Sequence, residues 1–395
     1  MEGPGSSYLD TASAEPLHPA AYDVLQRALE QGYADPRRLH GPARNARLLL
    51  DNARAVVAEC LGVRIDEVTF TPTGTHAVHL GVLGLLAGAA RSGDRLLASA
   101  VEHSSVLHAG RWHAARGGRS DTVPVEATGR VALDALAEAL GAAPASARAA
   151  GAGAAGAGAA VLALQAANHE VGTLQPVAQA AELADAVGTV LFVDACASGG
   201  RLDLPPGWAA AALSAHKWGG PAGVGVLLVR KGARWRQPFP GDDRVDERAT
   251  GMENVPAALA AAAALQAVVA EREQVNARQH RLVARIRAAV AQIPDTEVVG
   301  DPEARLPHLM TFSCLYVDGE ALVTELARHG FAVASGSACT ASTLEPSHVL
   351  AAMGALTHGN VRVSLGRDTT EADVDRLLAV LPTTVDALRQ RIGAP

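Results

Sequence analysis

The sequence contains 395 residues, enough for two or three average domains or for one large domain that carries a smaller one. A hydrophobic share of 49% and a charged share of 19% are those of a folded protein and exclude a disordered chain. The formal net charge of -7 argues against non-specific nucleic-acid binding, which needs a basic face, so we expect no direct contact with nucleic acid.

Cysteine usage and the N-terminus indicate the compartment. The cysteines Cys60, Cys196, Cys314 and Cys339 form no CxxC pair and have no zinc-ligand spacing, which indicates neither a disulfide framework nor a metal site. The N-terminus lacks a charged region followed by an apolar core. The longest apolar run, 80–90, is too short to span a bilayer and predicts a buried helix. We therefore expect a cytoplasmic protein with no membrane partner and no bound metal.

Short apolar runs that end in polar residues alternate with helical stretches through the first part of the chain. The runs predicted to be strands are 68–70, 95–99, 161–165, 190–193, 211–214 and 225–229. Such alternation is typical of the α/β class, in which helices wrap a mostly parallel sheet. Ligands of these sheets bind beyond the carboxyl ends of the strands, so the polar residues at those ends are the candidates for a site.

The pattern changes in the second part of the chain. The alanine-rich stretch 256–293 predicts one long helix. After it, 308–317 and 332–334 predict strands, and 320–329 predicts a helix. These elements indicate a second, smaller α+β unit.

These observations divide the chain into two predicted domains. A large domain covers 15–250, and a small domain covers 251–395 together with the N-terminal segment 1–14. The stretch 141–160 consists almost wholly of Ala, Gly, Ser and Pro, which predicts an exposed, mobile loop within the large domain.

Three polar residues near strand ends suit one another chemically. Lys217 follows the strand 211–214, Asp194 ends the strand 190–193, and Cys339 lies among small residues. Alone, they would be read as a surface lysine, a helix cap and a small buried side chain. Together they supply a Schiff-base amine, an anion for a protonated ring nitrogen and a nucleophilic thiol. That set favours a pyridoxal-phosphate (PLP) enzyme that moves sulfur.

A phosphate site is indicated more weakly. Thr73-Gly74-Thr75 follows the first predicted strand and opens a helix. Backbone amides at a helix N-terminus bind phosphate, and glycine permits close approach, although Gly-Thr turns are common.

With these motifs in this order, the chain resembles the cysteine desulfurases of the NifS/IscS type, within the class V PLP-dependent aminotransferase family. The likeness runs from Tyr8 to Arg367 and is most specific at 335–340 (SGSACT) and 344–347 (LEPS). It implies a homodimer with the PLP-dependent aspartate-aminotransferase-like fold. It also implies conversion of L-cysteine to L-alanine, with the sulfur held on Cys339 as a persulfide for a protein acceptor.

The resemblance also implies roles for the residues that hold PLP. Lys217 corresponds to the lysine that forms the Schiff base, with Ser214 and His216 as phosphate contacts. The amide of Gly74 and the side chain of Thr75 complete the phosphate site. Asp194 pairs with the pyridine nitrogen and keeps it protonated, so that the ring accepts electrons from the substrate.

The remaining roles concern the substrate. His103 stacks on the cofactor ring, and either Lys217 or His103 moves the α-proton. Arg362 holds the substrate carboxylate, for which a bidentate fork is better suited than a lysine.

Three positions depart from the family pattern. His169 in Asn168-His169-Glu170 stands where an asparagine is usual, facing the phenolic oxygen of the cofactor and the substrate. Ala197 replaces a glutamine that donates to the same oxygen, and Met252 replaces a threonine that reaches a dimer partner's phosphate. Either His169 compensates for the lost amide, or the cofactor is held and tuned less well.

Two alternatives stay open at the level of sequence. A selenocysteine lyase or a class V aminotransferase would use the same PLP site with a different outcome. A catalytically weakened PLP-fold protein could instead serve as a binding partner. The sulfur acceptor is also open, because iron–sulfur assembly, tRNA thiolation, DNA phosphorothioation and natural-product sulfur insertion all use such donors.

Overall fold

A computed structural model describes residues 6–31, 34–91, 93–142, 158–241, 248–335, 346–391 and 393 of the chain. Cys339 and most of the predicted loop at 141–160 lie outside these described residues. The described residues of that predicted loop are Gly141, Ala142 and 158–160, and the prediction of an exposed loop is wrong for Ala159 and Ala160, which are buried beside the strand that follows.

The strands are β1 (Ser7–Tyr8), β2 (Val68–Thr71), β3 (Arg95–Ser99), β4 (Arg119–Val123), β5 (Val161–Gln165), β6 (Val190–Asp194), β7 (Ala210–Ser214), β8 (Gly225–Val229), β9 (Thr296–Val299), β10 (Leu309–Cys314), β11 (Phe331–Ala332) and β12 (Asn360–Ser364). The helices are α1 (Pro19–Gln31), α2 (Gly41–Leu61), α3 (Gly74–Ala89), α4 (Ser104–Ala114), α5 (Leu133–Leu140), α6 (Val177–Asp185), α7 (Val255–Val290), α8 (Gly319–Arg328), α9 (His348–Met353) and α10 (Glu371–Arg391).

A seven-stranded sheet has the order β2-β8-β7-β6-β5-β3-β4. Strands β3 to β7 are parallel to their neighbours within this group, whereas β8 runs antiparallel to both β7 and β2. The central strands β5 and β7 are buried along their whole length, as expected where helices cover both faces of a sheet. This arrangement confirms the predicted α/β class with a mostly parallel sheet.

Strand β4 was not predicted from the sequence. It pairs with β3 at the edge of the sheet, and four of its five residues are exposed. Its sequence, RSDTV, is almost entirely polar, so no apolar run marks it. Charged side chains on an edge strand also protect the sheet from pairing with another chain.

The apolar run at 80–90 forms the greater part of α3. Its large side chains, such as Leu80 and Leu85, are buried against the seven-stranded sheet, which confirms the predicted buried helix. The N-terminus of α3 starts directly after β2, so the fold brings this helix end to the carboxyl edge of the sheet.

Helix α7 contributes to two separate hydrophobic cores. Ala261 and Leu265 near its start pack in the core beside the seven-stranded sheet, and Ile286 and Val290 near its end pack in a second core. It is long and apolar enough to cross a bilayer, but half of its most apolar window is buried in the protein, as in a core helix.

The second core lies beneath a three-stranded antiparallel sheet of order β12-β10-β9. The N-terminal segment joins it, because β1 pairs with β11 and Asp10 bridges to Ser364. This smaller sheet with α8 and α10 is the α+β part of the predicted fold. The domain boundaries at 14/15 and 250/251 stay a prediction.

Candidate active site

Four of the predicted site residues meet at one edge of the seven-stranded sheet. The parallel strands β3, β5, β6 and β7 are neighbours, and Asp194 is level with Gln165 on β5 and with Ala212 on β7. His103, His169 and Lys217 follow the ends of β3, β5 and β7, and Asp194 is the last residue of β6. The carboxyl ends of these strands therefore collect the candidate acids and bases in one place.

Lys217 ends a short 3-10 turn, Ala215–Lys217, that follows β7 directly. Its Nζ donates to the carbonyl oxygens of Ala12 and Ser13. The Ser13 hydroxyl in turn accepts a hydrogen bond from Arg362 at 2.6 Å. The N-terminal segment therefore contacts both groups at Ser13, the lysine amine through its carbonyl oxygen and the arginine guanidinium through its hydroxyl.

Arg362 is a buried cation on β12. Its Nη1 donates to the carbonyl oxygen of His169 at 3.0 Å, and its Nη2 pairs with Asp10 Oδ1 at 2.9 Å. The remaining nitrogen, Nε, is buried and has no hydrogen-bond partner among the described residues. A buried guanidinium beside the candidate lysine is well suited to a carboxylate ligand.

The α3 N-terminus packs tightly against the end of β7. A Cβ atom built on Gly74 would lie 2.6 Å from Ser214 Cβ and 3.1 Å from Cys196 Sγ. Ser214 Oγ also lies 3.0 Å from His216 Nδ1, while Thr75 is exposed on the first turn of the helix. Amides, hydroxyls and an imidazole therefore surround a helix N-terminus, as an anion site requires.

Replacing Gly74 with alanine should weaken PLP binding, because the added methyl must push α3 away from Ser214. A hydrogen bond from a displaced amide to the charged phosphate is worth about 1.5–3 kcal/mol, which corresponds to roughly a tenfold to hundredfold rise in Kd. A fluorescence titration of the apoprotein with PLP measures this change. Gly41→Ala is the matched control, since it also lies at a helix N-terminus but meets nothing within 4 Å. An unchanged Kd for Gly74→Ala would contradict the phosphate assignment.

His103 and His169 contact each other edge to face, with ring centroids 4.9 Å apart and an interplanar angle of 74°. His103 Nδ1 accepts the amide hydrogen of Ser105 at 3.1 Å and caps α4. Burial lowers the pKa of His103 and holds the pKa of His169 well below its usual range. A neutral His103 that accepts at Nδ1 carries its proton on Nε2.

Asp194 is buried, and its Oδ1 accepts the amide hydrogen of Cys196 at 2.9 Å. Burial, and secondly the charge of Asp194, raise the pKa of the Cys196 thiol well above its ordinary value. Cys196 therefore lines the site as a protonated thiol, which is a poor nucleophile. Burial also raises the pKa values of Cys60 and Cys314, as expected for structural cysteines.

The imidazole of His216 is neutral in the folded protein. Burial, and secondly the charge of Lys217, lower its pKa from 6.5 to about 4. In the unfolded chain the same group titrates near pH 6.5, so between these values the unfolded state binds more protons. The contribution of His216 to stability is present above pH 6.5 and is lost as the pH falls toward 4.

This linkage predicts the behaviour of His216→Asn, whose amide can keep the contact with Ser214. Between pH 6.5 and 4 the wild-type protein should lose more free energy of unfolding than the variant. Urea denaturation of both proteins across this pH range measures the difference between their free energies of unfolding. The contributions of the other titrating groups are the same in both proteins and cancel in that difference. Parallel stability profiles would mean that His216 titrates normally in the folded state.

Two buried acids beside the histidines escaped the sequence analysis. Glu102 is fully buried, and its Oε1 accepts the amide hydrogen of Gln165 at 2.8 Å. Glu170 Oε2 accepts the hydroxyl hydrogen of Ser347 at 2.6 Å. Burial raises the pKa of both carboxyls. Their position in the sequence could have identified them as candidates, because each acid is adjacent to a candidate histidine.

Two of the three departures from the family pattern lie close to the site. Ala197 and His169 border a cavity of about 10 Å³ together with Lys217 and His308. His308 is also buried, and its Nδ1 has no partner in the described part of the chain. Met252, just before α7, is 47% exposed. A small space therefore lies between Ala197 and the candidate lysine.

The donor set fits PLP. Lys217 and the buried Asp194 lie at the ends of the neighbouring strands β7 and β6, and the N-terminus of α3 at Gly74 offers backbone amides that suit a phosphate. The orphaned Nδ1 of His169 and Nε of Arg362 mark places where a polar ligand would restore hydrogen bonds.

Comparisons with known proteins agree with this geometry. Residues 7–377 match the model of the family described as aminotransferase class-V. An IscS-like cysteine desulfurase of Mycobacterium tuberculosis is 34% identical over 397 residues, which cover 97% of each chain. The cysteine desulfurase NifS of Azotobacter vinelandii is 33% identical over 393 residues, 97% of this chain and 93% of that protein.

The fold is also found in solved structures. A NifS-like protein superposes with a TM-score of 0.86 at 24% identity, over 97% of this chain and 100% of the other. The family matched by sequence is PLP-dependent, in agreement with the cofactor expected from the sequence. The chain therefore belongs to the class V aminotransferase family and, within it, to the cysteine desulfurases of the IscS/NifS type.

Proposed function

We propose that this chain converts L-cysteine to L-alanine and that Cys339 receives the sulfur as a persulfide. The observation that carries the proposal is the meeting of Lys217, Asp194 and His103 at one edge of the seven-stranded sheet, with Arg362 of β12 held beside them through His169 and Ser13. Bound PLP supplies an electron sink for the substrate's α-carbon. The relatives named cysteine desulfurase support this reaction over the related ones.

The protein residues have distinct tasks in the proposal. Arg362 binds the carboxylate of cysteine, and Asp194 keeps the ring nitrogen of the cofactor protonated. Lys217 and His103 move the α-proton. The Gly74 amide, Thr75, Ser214 and His216 bind the phosphate, as their grouping around the α3 N-terminus supports.

The sulfur transfer balances without an external oxidant. The Cys339 thiolate attacks the substrate sulfur, so that a sulfur–sulfur bond forms as the bond between sulfur and the β-carbon breaks. The electron pair stays with the substrate carbon, which takes up a proton and leaves as alanine. A protein thiol then accepts the sulfur from the persulfide.

An assay with L-cysteine and a thiol reductant tests the reaction. The expected result is equal amounts of alanine and sulfide from the PLP-loaded protein. When a keto acid is added as amino acceptor, conversion of cysteine to its own keto acid in place of alanine would identify an aminotransferase, and activity with selenocysteine alone would identify a lyase for that substrate. A protein that binds PLP but turns over none of these would be a non-catalytic partner.

We also propose that the protein is a cytoplasmic homodimer. Helices α1 and α2 carry large exposed apolar side chains, among them Tyr22, Leu29 and Leu48, which a partner subunit would cover. Light scattering at micromolar concentration measures the assembly, and a monomer at that concentration would refute it.

A further inference from the structure

A line of polar contacts runs from α9 to the candidate site. Ser347, the N-cap of α9, donates its hydroxyl hydrogen to Glu170 Oε2 at 2.6 Å, although the two residues are 177 positions apart. The other carboxyl oxygen, Oε1, lies 3.7 Å from His169 Nε2. Both Ser347 and Glu170 are only 3% exposed, so the hydrogen bond between them is buried.

The contacts select the oxygen that carries the proton in the neutral form of Glu170. Burial raises the pKa of Glu170, which favours the neutral carboxyl, while Ser347, His348 and Arg362 favour the charged form. The Nη groups of Arg362 donate hydrogen bonds to His169, Asp10 and Ser13 and not to Glu170. Because Oε2 already accepts from Ser347, the carboxyl proton belongs on Oε1, facing His169 Nε2.

A donor at Nε2 determines the tautomer of His169. A neutral imidazole that accepts at Nε2 must carry its hydrogen on Nδ1. That nitrogen is buried and has no partner among the described residues. The ring also borders the cavity beside Ala197, where the family's glutamine amide is missing. The distance of 3.7 Å exceeds a hydrogen bond, but such contacts often shorten when the site is loaded.

We propose that Ser347 and Glu170 are positioning residues that hold His169 as the Nδ1–H tautomer, so that it donates a hydrogen bond to the phenolic oxygen of PLP. This inference rests on the proposed function, because it needs PLP in this site. It gives the chain a histidine donor in place of the amide that Ala197 removes. The titratable groups that also face His169 are His103, Arg362, Lys217 and His348, and all of them disfavour a charged imidazole.

Solid-state ¹⁵N NMR of the histidine-labelled, PLP-loaded protein tests the tautomer, with His169→Asn identifying the His169 signals. The wild type and Glu170→Gln, whose amide can accept from Ser347 and donate to His169, should both show a protonated Nδ1. Glu170→Met has similar bulk but no donor, so its Nδ1 should lose the proton in part or completely. A wild-type ring protonated at Nε2, or an unchanged tautomer in Glu170→Met, would overturn the proposal.

Absorbance of the bound cofactor gives a second readout. Loss of the donor in Glu170→Met should raise the apparent pKa of the cofactor's absorbance change by about one unit or more. Ser313→Ala is the matched control, because it removes a buried serine hydroxyl that donates to Leu356 instead of Glu170. An equal shift in both variants would assign the effect to general loosening and refute a role for Glu170.

These experiments separate the inference from the proposed function. The tautomer and the absorbance require bound PLP but not turnover of cysteine. A protonated Nδ1 without alanine formation would uphold the inference and refute the desulfurase reaction. Alanine formation by a protein whose His169 is protonated at Nε2 would uphold the desulfurase reaction and refute the inference.

Discussion

Replacing Lys217 with alanine should abolish covalent PLP binding and reduce alanine formation by at least about 10⁴-fold. The lysine amine provides both the link to the cofactor and a base for the α-proton, and general acid–base catalysis alone contributes about 10²–10⁴. Borohydride reduction followed by peptide mass spectrometry should find the PLP adduct on the Lys217 peptide of the wild type and nowhere in the variant.

The small number of lysines makes the result of this experiment easy to assign to one residue. The sequence contains only two lysines, Lys217 and Lys231. Lys231 is exposed after β8, which makes Lys231→Arg the matched control. It should keep both the absorbance of bound PLP and the adduct. A reducible adduct that survives in Lys217→Ala would refute the assignment of this residue.

Cys339→Ser should still bind PLP and L-cysteine but form neither alanine nor a persulfide, with turnover falling to the detection limit. A serine hydroxyl is a far weaker nucleophile than a thiolate at neutral pH. The other thiols cannot substitute, because burial raises the pKa values of Cys60, Cys196 and Cys314. After incubation with cysteine, mass spectrometry of the wild type should place one extra sulfur on the Cys339 peptide.

Cys60→Ser provides the control for this experiment, since Cys60 is half-buried on α2. It should turn over like the wild type. Sulfur found on Cys196 instead of Cys339, or normal turnover by Cys339→Ser, would show that the proposed route of the sulfur is wrong.

The fold was predictable wherever burial left an apolar run in the sequence. Strands β3, β5 and β8 have the predicted bounds, because helices cover their faces and only apolar residues fit there. The polar strand β4 escaped because it is stabilised by backbone pairing with β3 and not by side-chain burial. The antiparallel direction of β8 could not be predicted either, because a buried strand has the same apolar sequence pattern whether it runs parallel or antiparallel to its neighbours.

The site was predictable in its parts but not in its connections. The ends of parallel strands bring His103, His169 and Lys217 together, and this follows from the order of elements alone. The contact between Ser347 and Glu170 joins residues 177 positions apart, and no local pattern encodes such a pairing. The placement of Cys339 stays a prediction, because it lies outside the described residues.

Helix α7 has a consequence for the mechanics of the molecule. Its 36 residues form one continuous helix whose first turns belong to the core of the seven-stranded sheet and whose last turns belong to that of the smaller sheet. At 1.5 Å per residue, such a helix is about 54 Å long. Because one helix packs in both cores, we expect the two cores to unfold cooperatively. Rocking of one sheet against the other would bend this helix near its exposed residues Glu271 and Glu273, or would move the N-terminal strand β1 that pairs with β11.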